Sequence, residues 1–121
     1  ISAEIINLNT LKPLNTGVIE KSVKKTKRIV IIENSNSYLS IGSEILSRLF
    51  LNQKIKLKYQ PVKISLKDYP MPTSYHMTKG IYPDFTKIIN VCRKIFKKKI
   101  YLKNQKKYTH DIPNKDFQGP F

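Results

Sequence analysis

Cysteine is nearly missing from this chain. Cys92 stands alone among 121 residues, which excludes an internal disulfide and a multi-cysteine metal site. A reducing compartment is permitted by this, not required. Histidine is almost as scarce. Neither His76 nor His110 has a Cys, Asp or Glu at metal-ligand spacing on a shared element. No apolar run approaches the roughly 20 residues that a membrane-crossing helix needs. The 4 glycines are scattered, with neither a G-x-G-x-x-G fingerprint nor a Walker lysine pattern. Nothing in the sequence assembles a general acid with a general base. No catalytic, cofactor-binding or metal-binding residue is therefore assigned. An initiator Met is lacking too, and the chain opens directly into strand-like sequence. It reads as a piece of something longer, with any targeting segment upstream.

Acidic residues are few: 8 Asp+Glu stand against 23 Lys+Arg, a net charge of +15. Such an excess suits nucleic acid or an anionic surface. It equally suits a chain biased toward Lys, the ordinary solvated residue. Lys outnumbers Arg, the residue expected at specific phosphate or base contacts, which favours the second reading. The 7 tyrosines could stack bases, yet no RNA-recognition signature surrounds them. What is present is a globular composition, 40% hydrophobic. A chain of this length forms one domain and buries about two thirds of its unfolded surface.

The chain is organised around Ile29, Val30, Ile31 and Ile32, which lie between a basic pair and an Asn/Ser cluster. β-Branched side chains are stiff at χ1 and favour extended backbone. An unbroken run leaves no solvent-facing side, so a parallel strand covered on both faces is expected, at the centre of a three-layer α/β sheet. Glu33, at its end, is read as a satisfied structural carboxylate or an interface group.

Residues 4–8 read as a first strand, stopped before Pro13. Asn15 is a good cap for a helix whose apolar face carries Val18, Ile19 and Val23. The loop from Asn34 to Ser40 leaves the carboxyl end of the central strand, where open α/β sheets hold their ligands. Gly42 opens a second helix with Ile45, Leu46, Leu49 and Phe50 as its buried stripe. Residues 55–59 and 62–66 alternate apolar with polar side chains and read as half-exposed strands separated by Pro61. Pro70, Met71 and Pro72 begin a long loop rich in large side chains. Asp84 caps the clearest helix, with Phe85, Ile88, Ile89, Cys92, Ile95 and Phe96 on one face. There Cys92 is a packed thiol rather than a nucleophile. Residues 100–102 could add a short strand, and the chain beyond Tyr108 reads as irregular.

Several stretches resemble one family. Residues 6–15, INLNTLKPLN, resemble the DLRTLKPLD opening of the C-terminal domain shared by transketolases and 2-oxo acid dehydrogenases. Residues 20–30, EKSVKKTKRIV, resemble its ESVKKTGRLVVVEE segment, and residues 41–45, IGSEI, its GVGAEI. PVKI at 61–64 and DYPMP at 68–72 are similar to PVKRV and DVPMPY. The likeness runs in order from Glu4 to Phe96, strongest to the beta-subunit variety found in pyruvate dehydrogenases. The branched-chain and deoxyxylulose-phosphate synthase varieties fit less well. The chain departs from the pattern where Leu39, Ser40 and Ile41 replace the usual Gly-Gly before the second helix.

The resemblance implies a domain over residues 1–99 with an extension over 100–121. It implies a three-layer αβα fold, with a mostly parallel five-stranded sheet and one antiparallel edge strand. It further implies a heterotetramer with an alpha subunit and a second beta subunit, and docking to a lipoyl acyltransferase core. Thiamine diphosphate and Mg would belong to the parent enzyme, not to this domain alone. The parent would catalyse oxidative decarboxylation of pyruvate in an organellar matrix or stroma, plastid-type first and mitochondrial second. Neither a membrane nor a specific nucleic acid is an expected partner. Candidate interface residues are Tyr38, Ile41, Gly42, Pro70, Met71, Pro72 and Tyr75. The alternative reading is a basic nucleic-acid-binding module.

Overall fold

The run of branched aliphatics does form a strand, β1 (Val30–Asn36), which continues four residues past Ile32 into polar sequence. The computed structural model describes residues 1–52, 55–74, 77 and 81–97. Around β1 lie α1 (Gly17–Thr26), α2 (Ile41–Leu51), β2 (Val62–Leu66) and α3 (Phe85–Phe96), in the order α1-β1-α2-β2-α3. β1 and β2 pair in parallel, with Val30 opposite Val62, Ile32 opposite Ile64 and Asn36 opposite Leu66. Among the described residues the sheet has two strands. The wider five-stranded sheet is therefore not seen in them.

Each helix ends for a local reason. At α1, Asn15 Oδ1 accepts from the Gly17 N–H at 2.9 Å, satisfying one of the free donors of the first turn. Thr16 stands one residue on, at the cap position itself. Lys24 and Lys25 occupy the last turn, where positive charge suits the helix dipole. Lys27 closes the helix in a left-handed conformation, its N–H bonded to the Val23 carbonyl at 2.8 Å. α2 starts after Ser40, whose hydroxyl accepts from the Ser43 N–H. α3 starts after Asp84, whose Oδ1 accepts from the Lys87 N–H at 2.7 Å, the expected cap.

The main core lies on one side of the sheet. Ile19 and Val23 of α1 meet Ile45 and Leu49 of α2, joined by Leu8, Leu14, Ile29, Ile31, Ile55 and Leu57. Each such burial contributes about 1.5–3 kcal/mol. Successive strand residues point to opposite faces. Val30 and Ile32 therefore face away from this cluster, with Val62 and Ile64 beside them. On that side α3 packs on β2, and Ile64, Leu66, Ile81 and Ile95 are buried. At its carboxyl end the Phe96 ring lies 4.9 Å from the Arg28 guanidinium. Helices α1 and α2 thus cover one side of the sheet, and α3 covers β2 on the other.

Several expectations need correction. Ile32 is 50% exposed, because α3 stands over β2 and leaves the outer face of β1 open. Residues 4–8 form no strand, and Ile5 is exposed. Ile5 and Ile6 are adjacent, so an extended backbone turns one of them to water. No neighbouring strand among the described residues offers that backbone a ladder. Residues 55–59 are also irregular. Ile55 and Leu57 still pack on the core, and the Lys58 N–H bonds the Lys27 carbonyl at 2.8 Å. Phe50 and Val18, expected on buried stripes, are exposed; each sits at the margin of its helix's apolar arc. Phe85 is likewise exposed, at the first position of α3. Residues 100–102 lie outside the described residues.

Candidate functional site

Because β1 and β2 run parallel, both release their loops at the same sheet edge. Ser37 N–H donates to the Leu66 carbonyl at 3.1 Å, the last tie between the strands. Beyond it the first loop carries Tyr38 and Leu39 to α2, and the second carries Tyr69, Pro70, Met71 and Pro72. Tyr38 is 67% and Leu39 85% exposed, while Ile41 and Met71 are near 40%. Leu39 has a φ of 48°, a left-handed conformation that costs an L-residue about 1–2 kcal/mol.

Under this apolar loop lies a polar cluster. Glu33, at the centre of β1, turns its carboxylate toward the start of α2. Its Oε2 accepts from the Gly42 N–H at 2.9 Å, and its Oε1 accepts from the Ser40 hydroxyl at 2.7 Å. Lys63 of β2 stands opposite Ile31 and so projects to the same side. Its ammonium lies 3.6 Å from Glu33 Oε1 and donates to Ser43 Oγ at 2.6 Å and Ser40 Oγ at 3.0 Å. It also donates to the Ser37 carbonyl. The Glu33 and Lys63 side chains are only 13% and 17% exposed, so water screens the pair weakly. Hydrogen bonds to charged groups contribute about 1.5–3 kcal/mol each.

Gly42 is what lets the carboxylate in. A Cβ there would lie 2.8 Å from Glu33 Oε2 and 2.9 Å from Ile31 Cγ2. Its place is buried, at the first turn of α2. A helix N-terminus attracts an anion, and here the chain's own Glu33 fills that position. No phosphate is needed to account for Gly42.

Tyr38, Pro70, Met71 and Pro72 lie in the loops that leave one sheet edge, Ile41 is the first residue of α2, and Gly42 is buried in its first turn. Tyr75, His76 and His110 lie outside the described residues. Cys92 is half-buried and free on α3. Glu33 is the satisfied carboxylate foreseen as one of two readings. Lys63, Ser40 and Ser43 escaped sequence reasoning. Lys63 looked like the wet side of a half-exposed strand, whereas α2 covers that side. The available signal was Glu33 itself, since a carboxylate ending an apolar strand calls for donors. Among the described residues no group of three or more His, Cys, Asp or Glu could hold a metal ion. No described helix is long and apolar enough to cross a membrane.

Comparison with known proteins bears on what this edge is for. The chain is 34% identical over 96 residues to the pyruvate dehydrogenase E1 component subunit beta of Rickettsia felis, covering 78% of this chain and 29% of that protein. It is 39% identical over 83 residues to the subunit of the same name from Cyanidium caldarium, 67% of this chain and 25% of that one. The mitochondrial subunit of Saccharomyces cerevisiae is 27% identical over 96 residues, 78% and 26% of the two chains. The chain thus spans under a third of the length of these curated relatives. No solved structure gives a significant match. The family model described as transketolase, C-terminal domain, matches residues 1–88. That match takes in both strands, the first two helices, the Glu33 cluster and both edge loops, and the chain accordingly belongs to the transketolase C-terminal domain family.

Proposed function

We propose that this is the assembly domain of a pyruvate dehydrogenase (acetyl-transferring) beta subunit, joining subunits through the sheet edge that carries Tyr38, Leu39, Ile41 and Met71. One observation carries the reading: the first loop holds Tyr38 and Leu39 in water above a fixed polar base, and the second, leaving the same sheet edge, exposes Met71. Exposed apolar groups gathered on a rigid support mark protein contacts. Pro70 and Pro72 stiffen the second loop, Gly42 seats the first, and Tyr75 extends the same stretch of chain. The occupants are the alpha subunit, a second beta subunit and, in the larger complex, the lipoyl acyltransferase core. The parent enzyme would decarboxylate pyruvate oxidatively in a mitochondrial or plastid compartment. Relatives from yeast, rice and Dictyostelium are named as mitochondrial.

Thiamine diphosphate and Mg belong to the parent in this reading. The commitments of Glu33 support that reading. Among the described residues Glu33 is the least exposed carboxylate of those in ion pairs, and its oxygens are committed to Gly42, Ser40 and Lys63. The nucleic-acid alternative draws no support from relatives that carry pyruvate dehydrogenase names.

The test is co-expression of the parent beta subunit with its alpha subunit, with Tyr38, Ile41 and Met71 each changed to Ser. Sedimentation should show at least a tenfold weaker tetramer, with normal turnover in whatever tetramer survives. Unchanged assembly in all three variants, or pyruvate turnover by this chain alone, would sink the proposal.

A further inference from the structure

The Lys63 contacts reach further than a local ion pair. Three of its partners, the Ser37 carbonyl and the Ser40 and Ser43 hydroxyls, flank the exposed turn at Tyr38 and Leu39. The fourth, Glu33, belongs to the strand that precedes the turn. Lys63 itself comes from the neighbouring strand, 23 residues beyond Ser40. A single ammonium thus ties both ends of the loop to the middle of the sheet. Tyr38 and Leu39 are largely in water, so packing within the chain contributes little to holding them. Leu39 nevertheless keeps a left-handed backbone, and such strain persists only where the surroundings over-determine it.

We infer that Lys63 is a positioning residue for the interface loop: it holds the Tyr38–Leu39 turn in its docking shape before any partner arrives. The inference rests on the reading that this loop meets another subunit. A loop fixed beforehand loses less conformational freedom on association. The stem of Lys63 fills the space beside Ser40 and Ser43. Its charge fixes the loop, and the two roles are separable by substitution.

The experiment is amide hydrogen exchange by NMR on the 121-residue chain, comparing Lys63→Met with the unaltered protein. Met keeps the stem and removes the donors. The amides of Ser37, Gly42 and Ser43, all hydrogen-bonded at the loop's two ends, should exchange at least tenfold faster relative to those of Ile19 and Val23 in α1. Should Lys63→Met fail to fold, Ser43→Ala removes one acceptor while leaving the ion pair, and should produce a smaller rise at the same amides. An equal rise at α1 and loop amides would reduce Lys63 to a general stabiliser and overturn the inference. So would loop amides that do not respond. The exchange reading involves no partner. Assembly disrupted by the Ser variants together with an unresponsive loop would therefore overturn the latch and leave the interface standing. A responsive loop with intact assembly would do the reverse.

Discussion

The loop between β1 and α2 and the first sixteen residues of the chain are both largely without regular structure, yet they are held in different ways. The loop is pinned from below by Glu33, Lys63, Ser40, Ser43 and Gly42, in a cluster largely withdrawn from water. The amino-terminal stretch is tied by an exposed ion pair between Glu4 and Lys25 and by the packing of Leu8 and Leu14 on the core. Polar contacts order a segment when their donors and acceptors have no easy exchange with water. An exposed ion pair is screened and contributes little. The same chemistry, a carboxylate and a lysine, therefore has a large effect at one place and a small one at the other.

The sharpest way to break this contrast is to fill the space that Gly42 leaves open. Gly42→Val drives side-chain atoms into Glu33 and Ile31 and should lower stability by about 3 kcal/mol, as overpacking does. Urea unfolding reads the loss. Gly17→Ala is the control: a Cβ there meets only Asn15 Oδ1, at 3.2 Å, and the midpoint should barely move. A loss below about 1 kcal/mol for Gly42→Val would mean that the cluster yields easily.

A second comparison asks how much of α2's seating comes from the core rather than from its polar start. Ile45 is 3% exposed and Phe50 is 64% exposed on the same helix. Ile45→Ala should cost about 2–4 kcal/mol, as truncation of buried aliphatics does. Phe50→Ala should stay within about 0.5 kcal/mol. Equal costs would restore Phe50 to the buried stripe that its spacing suggests.

The smallest effect belongs to the amino-terminal pair. The hydrogen bond from Lys25 holds the Glu4 carboxyl below its ordinary value of 4.5. The same bond raises Lys25 above 10.5. A lowered carboxyl stabilises the fold above its ordinary titration range, and the contribution fades as pH falls through the lowered value. A raised lysine contributes below its ordinary value, and that is lost as pH climbs past the raised one. The pair lies at the surface, with the Lys25 side chain 77% exposed, and such pairs contribute little, so Glu4→Gln should leave the unfolding midpoint nearly unchanged. NMR should show residues 1–8 loosening as pH falls through the lowered Glu4 value, while Ile19 and Val23 shifts hold. A pH-dependent midpoint that vanishes in Glu4→Gln would contradict this.

Much of the frame was legible because it depends on local rules. The cap at Asp84, the buried pair Ile19 and Val23, and the pair Ile45 and Leu49 follow from spacing and side-chain chemistry. The parallel pairing of β1 with another strand follows from an apolar run too continuous for a one-sided sheet. Ser40 caps α2, as serine favours, two residues before the Gly42 that the sequence suggests as the start. Tyr38, Ile41 and Met71 are candidates from family likeness and composition, and all three are exposed.

Periodicity and capping chemistry alone marked α1, α2, α3 and the region of the central strand, since both act over a few neighbouring residues. Which face of each element is covered was decided only in three dimensions. Among the described residues, no strand offers residues 4–8 a ladder and no helix covers Ile32, because a strand needs a neighbour that its own residues cannot supply. Lys63 becomes the keystone of the Glu33 cluster because parallel register sets it on the α2 side, a relation between residues 30 positions apart that no local pattern records.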